Sequence, residues 1–285
     1  MKLAVIFPAL NQQELTQTAV DFAVAFSNEP IDVIVLDNGS GPALDIKTPP
    51  QSKVNFKLVC LDKNIGVYPA FWEALKYTDA DVLAYLHTDL FICEKGYDKR
   101  LLSAFSQFPK LGLVGFIGSD AIDSMGGRGY GTVSNFQGAT HQHHSKIGVN
   151  TLWIGTPAER HGRRSTLMAP AAVVDGCSMV FRREVLEKIK QRPEFPPHHF
   201  YDRLLSCETR EAGYDVVVLG IACDHISGQS VNGSDSYERM AREWANVHGL
   251  EKREKHNWDS VLYEEAERQW LVEYRDAKHF IPCKV

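Results

Sequence analysis

Residues 79–92 read DADVLAYLHTDLFI, and this stretch decides the fold. An uninterrupted apolar run, Val82–Leu86, ends in His87, Thr88 and Asp89, and a second apolar run follows at once. A short continuous apolar run closed by polar residues marks a strand covered on both faces, as in parallel sheets. An imidazole and a carboxylate at the tip of such a strand are costly unless they are partnered. At i and i+2 of an extended segment they face the same side. Either they are satisfied structurally or they bind something together.

Working outward, the same grammar repeats. KLAVIF, IDVIVLD, KVNFKLVCL and LGLVGFIG read as strands, and QELTQTAVDFAVAF, GVYPAFWEALKYT and GYDKRLLSAFSQF as helices between them. This alternation predicts an α/β fold with a mostly parallel sheet and helices on both faces. The pattern stops over residues 119–165, which are rich in Gly, Ser, Thr, Asn and His. That length predicts a functional loop, lid or inserted hairpin. AAVVDGCSMVFRREVLEKI restores strand and helix, and YDRLLSCETREAGYDVVVLGIACDH follows as helix and strand. Residues 1–230 form the predicted main domain, and the amphipathic segments of residues 231–285 a helical appendage. Trp244, Trp258 and Trp270 there read as packing anchors.

The 285 residues are 44% hydrophobic and 24% charged, ordinary for a globular chain with a real core. A net charge of −5 weighs against nucleic-acid binding, which calls for a basic face. No apolar run reaches the roughly 20 residues of a membrane-spanning helix. The start, MKLAVIFPALNQQEL, reads as a first strand and not as a signal sequence. Cys60, Cys93, Cys177, Cys207, Cys223 and Cys283 form no C-x-x-C pair and predict buried free thiols in a cytoplasmic setting.

Ligands of open α/β sheets bind beyond the carboxyl ends of the strands. Four successive strand ends carry polar clusters: Pro8 and Asn11; Asp37, Asn38, Gly39 and Ser40; Asp62, Asn64 and Gly66; His87 and Asp89. The first turn, PALNQQ, has no glycine, so a dinucleotide fingerprint is absent, and no phosphate-binding P-loop occurs.

VIFPALNQQE, VIVLDNGSG, DKNIGVYPAFWEAL and LAYLHTDLFI stand in the order found in inverting glycosyltransferases of the GT-A fold. The chain most resembles family two, in a subgroup with L-H-x-D and H-F-Y-D motifs. DGCSMVFRREVLEKI resembles the family's acceptor-side strand and helix, and HHFYDRLLSCETREAGYDVVVLGIACDHISGQS its catalytic segment. The resemblance covers residues 1–230. It implies a GT-A type, Rossmann-like mixed sheet with a C-terminal helical extension.

It also implies roles. Asp89 matches the metal-binding acid of a D-x-D-like motif, with His87 where the first acid usually stands. His225 falls where the family often has a histidine on the metal or diphosphate. One carboxylate with imidazoles favours Mn²⁺ over Mg²⁺. Asp37 matches the acid that binds the nucleobase, with Pro8, Asn11 and Asn64 lining the same pocket. Asp202 matches the general base, with Tyr201 in place of a usual acid. Asp175 and Gly176 fall where relatives contact the acceptor or donor sugar. Arg163 and Arg164 could assist the diphosphate, although paired arginines are more often a solvated patch. The bland alternatives are a capped strand end for His87 and Asp89, a loop histidine for His225, a turn for Asp37 and a helix N-cap for Asp202. HQHH, residues 141–144, reads as a polar loop and not as a zinc site.

The expected function is transfer of a sugar from a UDP, GDP or dTDP donor to a glycan, lipid-linked or protein acceptor, as in surface polysaccharide synthesis. A nucleotidyltransferase would need a basic, Gly-rich first turn. A catalytically inactive binding module is the other competitor. The C-terminal helices could contact a partner subunit or a membrane surface.

Overall fold

The apolar runs become strands and the helically spaced runs become helices in the predicted order. The computed structural model describes residues 1–47, 54–119, 122, 126, 140–141, 168–225, 234–250 and 257–274. The chain begins with β1 (Leu3–Ala9), α1 (Gln13–Phe26), β2 (Ile31–Asp37), β3 (Val54–Cys60), α2 (Val67–Ala74), β4 (Val82–Leu86) and β5 (Leu90–Ile92). Next come α3 (Tyr97–Gln107), β6 (Leu111–Gly115), β7 (Gly118–Ser119), β8 (Thr140–His141), β9 (Met168–Pro170), β10 (Val173–Val174) and β11 (Ser178–Arg182). It ends with α4 (Arg183–Lys188), α5 (Tyr201–Glu211), β12 (Asp215–Leu219), β13 (Cys223–His225), α6 (Asp235–Val247) and α7 (Trp258–Tyr274).

Eight strands form the central sheet, in the order β3-β2-β1-β4-β11-β6-β12-β9. β3, β2, β1 and β4 are parallel. β11 runs antiparallel to both β4 and β6, and β12 is again parallel to β6. The uninterrupted apolar character of β1 and β4 has its reason in burial on both faces. Leu3, Val5 and Phe7 join one core with Ala84 and Leu86, beneath α1 and α3, whereas Ala4 and Ile6 join the other with Leu83 and Tyr85, beneath α2, α4 and α5.

This topology gathers distant loops at one edge. The carboxyl ends of β1, β2, β3 and β4 point the same way. Because β11 is reversed, its amino end lies beside the end of β4, with Ser178 opposite Leu86. β12 then delivers β13 to the same edge, where β13 pairs antiparallel with β5 and sets His225 opposite Leu90.

The C-terminal helices pack onto this body. Trp270 and Tyr274 of α7 are each 1% exposed and lie in the second core cluster. Arg192 ties α7 to α5, with its Nε 2.6 Å from Glu208 and its Nη1 2.5 Å from Glu273. Trp270→Ala should therefore cost about 3–5 kcal/mol, the range for buried aromatic truncations. Urea unfolding followed by circular dichroism measures it, and a helix that merely hung on the domain would show almost no loss.

Candidate active site

The end of β4 carries the densest chemistry. His87, Asp89 and His225 each turn a ligand atom inward, and these atoms lie within 4.8 Å of one another. Asp89 Oδ1 is 3.4 Å from His225 Nε2 and 3.8 Å from His87 Nδ1. That oxygen is buried and accepts no hydrogen bond of ordinary length among the described residues. Burial opposes the Asp89 charge, yet His225 and His87 beside it hold its pKa below the usual carboxylate value. His87 keeps one ring edge toward solvent, but desolvation outweighs the pull of Asp89 and lowers its pKa. A carboxylate and neutral imidazoles are the forms that ligate a divalent cation.

The second component is the start of α5. Asp202, 7% exposed, occupies its first turn. Its Oδ1 accepts from the Arg203 amide at 2.9 Å and from Arg203 Nη1 at 3.0 Å. Among the described residues no hydrogen bond reaches Oδ2. The Tyr201 hydroxyl lies 3.1 Å from His87 Nε2 and so joins α5 to the β4 cluster. The backbone before them is strained: His199 and Phe200 have φ of 65° and 51°, the left-handed region that non-glycine residues rarely adopt.

The turn before β11 closes the third side. His87 N donates to the Cys177 carbonyl at 3.0 Å, and Asp175 Oδ1 accepts from the Cys177 amide at 2.9 Å. A Cβ on Gly176 would come within 2.4 Å of the Tyr201 hydroxyl. Only glycine lets Tyr201 reach His87 unimpeded.

The ends of β1, β2 and β3 form a neighbouring cleft of about 450 Å³. Asn11, Ser40, Asp62, Lys63 and Asn64 line one side, and Ser236, Arg239 and Glu243 of α6 line the other. Asn11, at φ 56°, clamps the β2 turn: its amide donates to Ser40 Oγ at 2.8 Å and its Oδ1 accepts from the Gly41 amide at 2.9 Å. Gly39 (φ 77°) is required there, because a Cβ would sit 2.4 Å from the Asn64 nitrogen. Ser236 Oγ donates to the Gly39 carbonyl at 3.0 Å, which fixes α6 to the same turn.

A family model described as "Glycosyltransferase like family" matches residues 44–260, more than half of the chain. The chain belongs to that glycosyltransferase family. The mannosyltransferase PcManGT from Pyrobaculum calidifontis, solved with GDP-Man and Mn²⁺, is similar at 12% identity with a TM-score of 0.51, over 96% of this chain and 70% of that one. S. aureus TarS 1–349 with UDP-GlcNAc is similar at 17% identity with a TM-score of 0.46, over 95% of this chain and 73% of that one. At 12% identity the likeness to PcManGT is one of fold, here the GT-A type. No curated protein sequence matches the chain significantly.

In this glycosyltransferase the structure brings together His87, Asp89 and His225, sets Tyr201 against His87, and places Asp175 and Gly176 beside Tyr201. Asn11 and Asn64 line the cleft, whereas Pro8 and Asp37 are not among its lining residues. Asp37 is 1% exposed, and its two oxygens accept from the Ser40 amide at 3.0 Å and the Leu44 amide at 2.8 Å, which gives it the work of shaping the turn. Arg163, Arg164 and most of the 119–165 loop lie outside the described residues, as do the side chains of the 141–144 histidine run. Cys60, Cys93, Cys177, Cys207 and Cys223 form no disulfide; Cys177, Cys207 and Cys223 are buried as expected, but Cys93 is half-buried and Cys60, at the end of the edge strand β3, is exposed. Cys283 lies outside the described residues. No described helix is long and apolar enough to cross a membrane.

Two contributors escaped the sequence reading, and a third, Asn38, was named there in a strand-end cluster without a role. Asn38 accepts from the Ile65 amide at 2.9 Å and donates to the Gly66 carbonyl at 3.1 Å, and so sets the segment beside the cleft. Its place between Asp37 and Gly39 was the available signal. Arg239 and the Tyr201 to His87 bond gave no local signal, since both depend on tertiary placement.

Proposed function

We propose that this chain is an inverting, metal-assisted glycosyltransferase that moves a sugar from a nucleotide-sugar donor to an acceptor hydroxyl. The product is a surface polysaccharide or another glycan, and the acceptor a glycan, a lipid-linked intermediate or a protein. The observation that carries this reading is the convergence of His87, Asp89 and His225 with the Tyr201-Asp202 start of α5. The donor set fits a divalent cation: a buried carboxylate oxygen without a hydrogen bond faces two imidazoles. Two nitrogen ligands favour Mn²⁺ over Mg²⁺. When bound, such a cation offsets the charge that develops on a departing diphosphate. PcManGT, solved with GDP-Man and Mn²⁺, agrees with this reading.

The protein's own groups do the rest. Arg203 holds Asp202 Oδ1 through two hydrogen bonds, which leaves Oδ2 for the acceptor hydroxyl. As the acceptor oxygen bonds to the anomeric carbon, its proton passes to Oδ2, and the bond from that carbon to the phosphate oxygen breaks with its electrons. A single displacement of this kind inverts the anomeric centre. The cleft at the ends of β1, β2 and β3 takes the nucleoside, with Asn11, Asn64 and Arg239 as contacts and Pro8 and Asp37 supporting its floor. Asp175 and Gly176 border the sugar.

The test is a thermal-shift screen of UDP, GDP, dTDP and CMP and their sugars, with Mn²⁺, Mg²⁺ or EDTA. UDP-GlcNAc and GDP-Man are the first two donor probes. A ligand at about 100 times its Kd stabilises by ~2.7 kcal/mol, and ~2.7 kcal/mol raises Tm by about 5–10 °C. We expect such a rise with one nucleoside diphosphate, larger with Mn²⁺ than with EDTA. No rise with any of them overturns the reading.

A further inference from the structure

We infer that Asp259 of α7 is a positioning residue for the transfer reaction, holding the strained segment that presents Tyr201 and Asp202; this rests on the reading of Asp202 as the base. His199 Nε2 lies 2.6 Å from Asp259 Oδ1, and the Tyr237 hydroxyl of α6 donates to the same oxygen at 2.5 Å. One carboxylate oxygen of α7 thus gathers a group from α6 and the residue that opens the left-handed turn.

The neighbours repeat this arrangement. The Tyr263 ring of α7 meets both His199 and Phe200 edge-on, each at 5.4 Å. Trp270 of α7 lies 6.2 Å from Phe200, and the Arg203 guanidinium covers Phe200 at 4.5 Å. His198 packs edge-on against Tyr237 at 5.2 Å. Two consecutive non-glycine residues at positive φ persist only where their surroundings over-determine them. Here most of those surroundings come from α6 and α7. The next two residues are Tyr201, bonded to His87, and Asp202. Catalytic side chains must be held within fractions of an ångström of the productive geometry, so a loosened 199–200 turn misplaces the base without touching the nucleoside cleft.

The experiment compares wild type with Asp259→Ala, Asp259→Asn and Tyr237→Phe in the full chain. UDP-GlcNAc and GDP-Man with Mn²⁺ serve as donors, and release of nucleoside diphosphate is read. In parallel, hydrogen exchange of the peptide spanning 196–206 is followed by mass spectrometry without ligand. We expect Asp259→Ala to lower kcat at least 10-fold with donor KM within twofold, and to speed exchange in 196–206 at least 10-fold while the β1 and β4 peptides stay unchanged. Asp259→Asn, whose amide oxygen still accepts, should recover part of kcat. Tyr237→Phe, the milder change, serves if Asp259→Ala does not fold. Unchanged kcat, or a fall in kcat accompanied by a rise in KM and by exchange rising throughout the sheet, overturns the inference. If wild type releases nothing from either donor, exchange in 196–206 alone decides the role of Asp259, and the reading of the reaction is left to the thermal-shift screen of all four donor types.

Discussion

Asp202→Asn should lower kcat by about 10²–10⁴-fold, the usual worth of a positioned general base, while donor affinity changes less than twofold. That loss corresponds to about 2.7–5.5 kcal/mol of transition-state stabilisation. The structural costs of the same change are smaller. An asparagine oxygen still accepts the Arg203 amide, which Asp202 now holds at 2.9 Å. The first turn of α5 loses one favourable charge, worth about 0.3–1 kcal/mol. The Tyr201 hydroxyl keeps its contact with His87, so the cluster of His87, Asp89 and His225 is untouched. Single-turnover release of nucleoside diphosphate gives kcat, and calorimetric titration gives donor affinity. Full turnover in the variant would remove Asp202 from the reaction; a matching loss of donor affinity would make it a binding residue.

Asp89→Ala should be the other large effect: Mn²⁺ affinity falls by about 100-fold or more, and turnover falls with it. Residues that merely orient a ligand already cost about 10–100-fold when replaced, and Asp89 is the one carboxylate in the set. Without it, His87 and His225 remain as two imidazole ligands with no carboxylate to offset the cation's charge. The fold should survive, because Asp89 Oδ1 makes no hydrogen bond of ordinary length that the sheet depends on. Mn²⁺ titration followed by electron paramagnetic resonance reads the affinity directly. Unaltered binding would place the cation elsewhere.

Much of this was legible in the sequence, for physical reasons that name particular residues. Val82–Leu86 is apolar at every position because β4 is buried on both faces, and that pattern marks a strand covered on both sides. His87 and Asp89 stood out because polar groups at such a strand end need partners. Asp202 and His225 emerged only through resemblance, since nothing local distinguishes a base from a helix cap or a ligand from a loop histidine. The Tyr201 to His87 bond was not legible, nor was the need for Gly176 beneath it. Both exist because β11 is reversed between β4 and β6, and strand direction leaves no mark on an apolar run. The C-terminal helices showed an apolar stripe, which says that a face is covered but not by what. Only the structure places Trp270 in the main core and Tyr237 against the segment that leads into Asp202.

The reversed strand has a consequence for how the molecule is made. β4 pairs with β1 on one side, but on its other side the partner is β11, synthesised only after the whole of α3, β6 and the long loop. Until Ser178–Arg182 leaves the ribosome, β4 presents an open, uncharged edge with apolar side chains on both faces, the form of strand most prone to pair with other chains. His87 also lacks its Cys177 and Tyr201 contacts over that interval. That edge of β4 is thus sealed late, and His87, Asp89 and His225 come together later still, because β13 follows β11 in the chain and reaches β5 only after it is made.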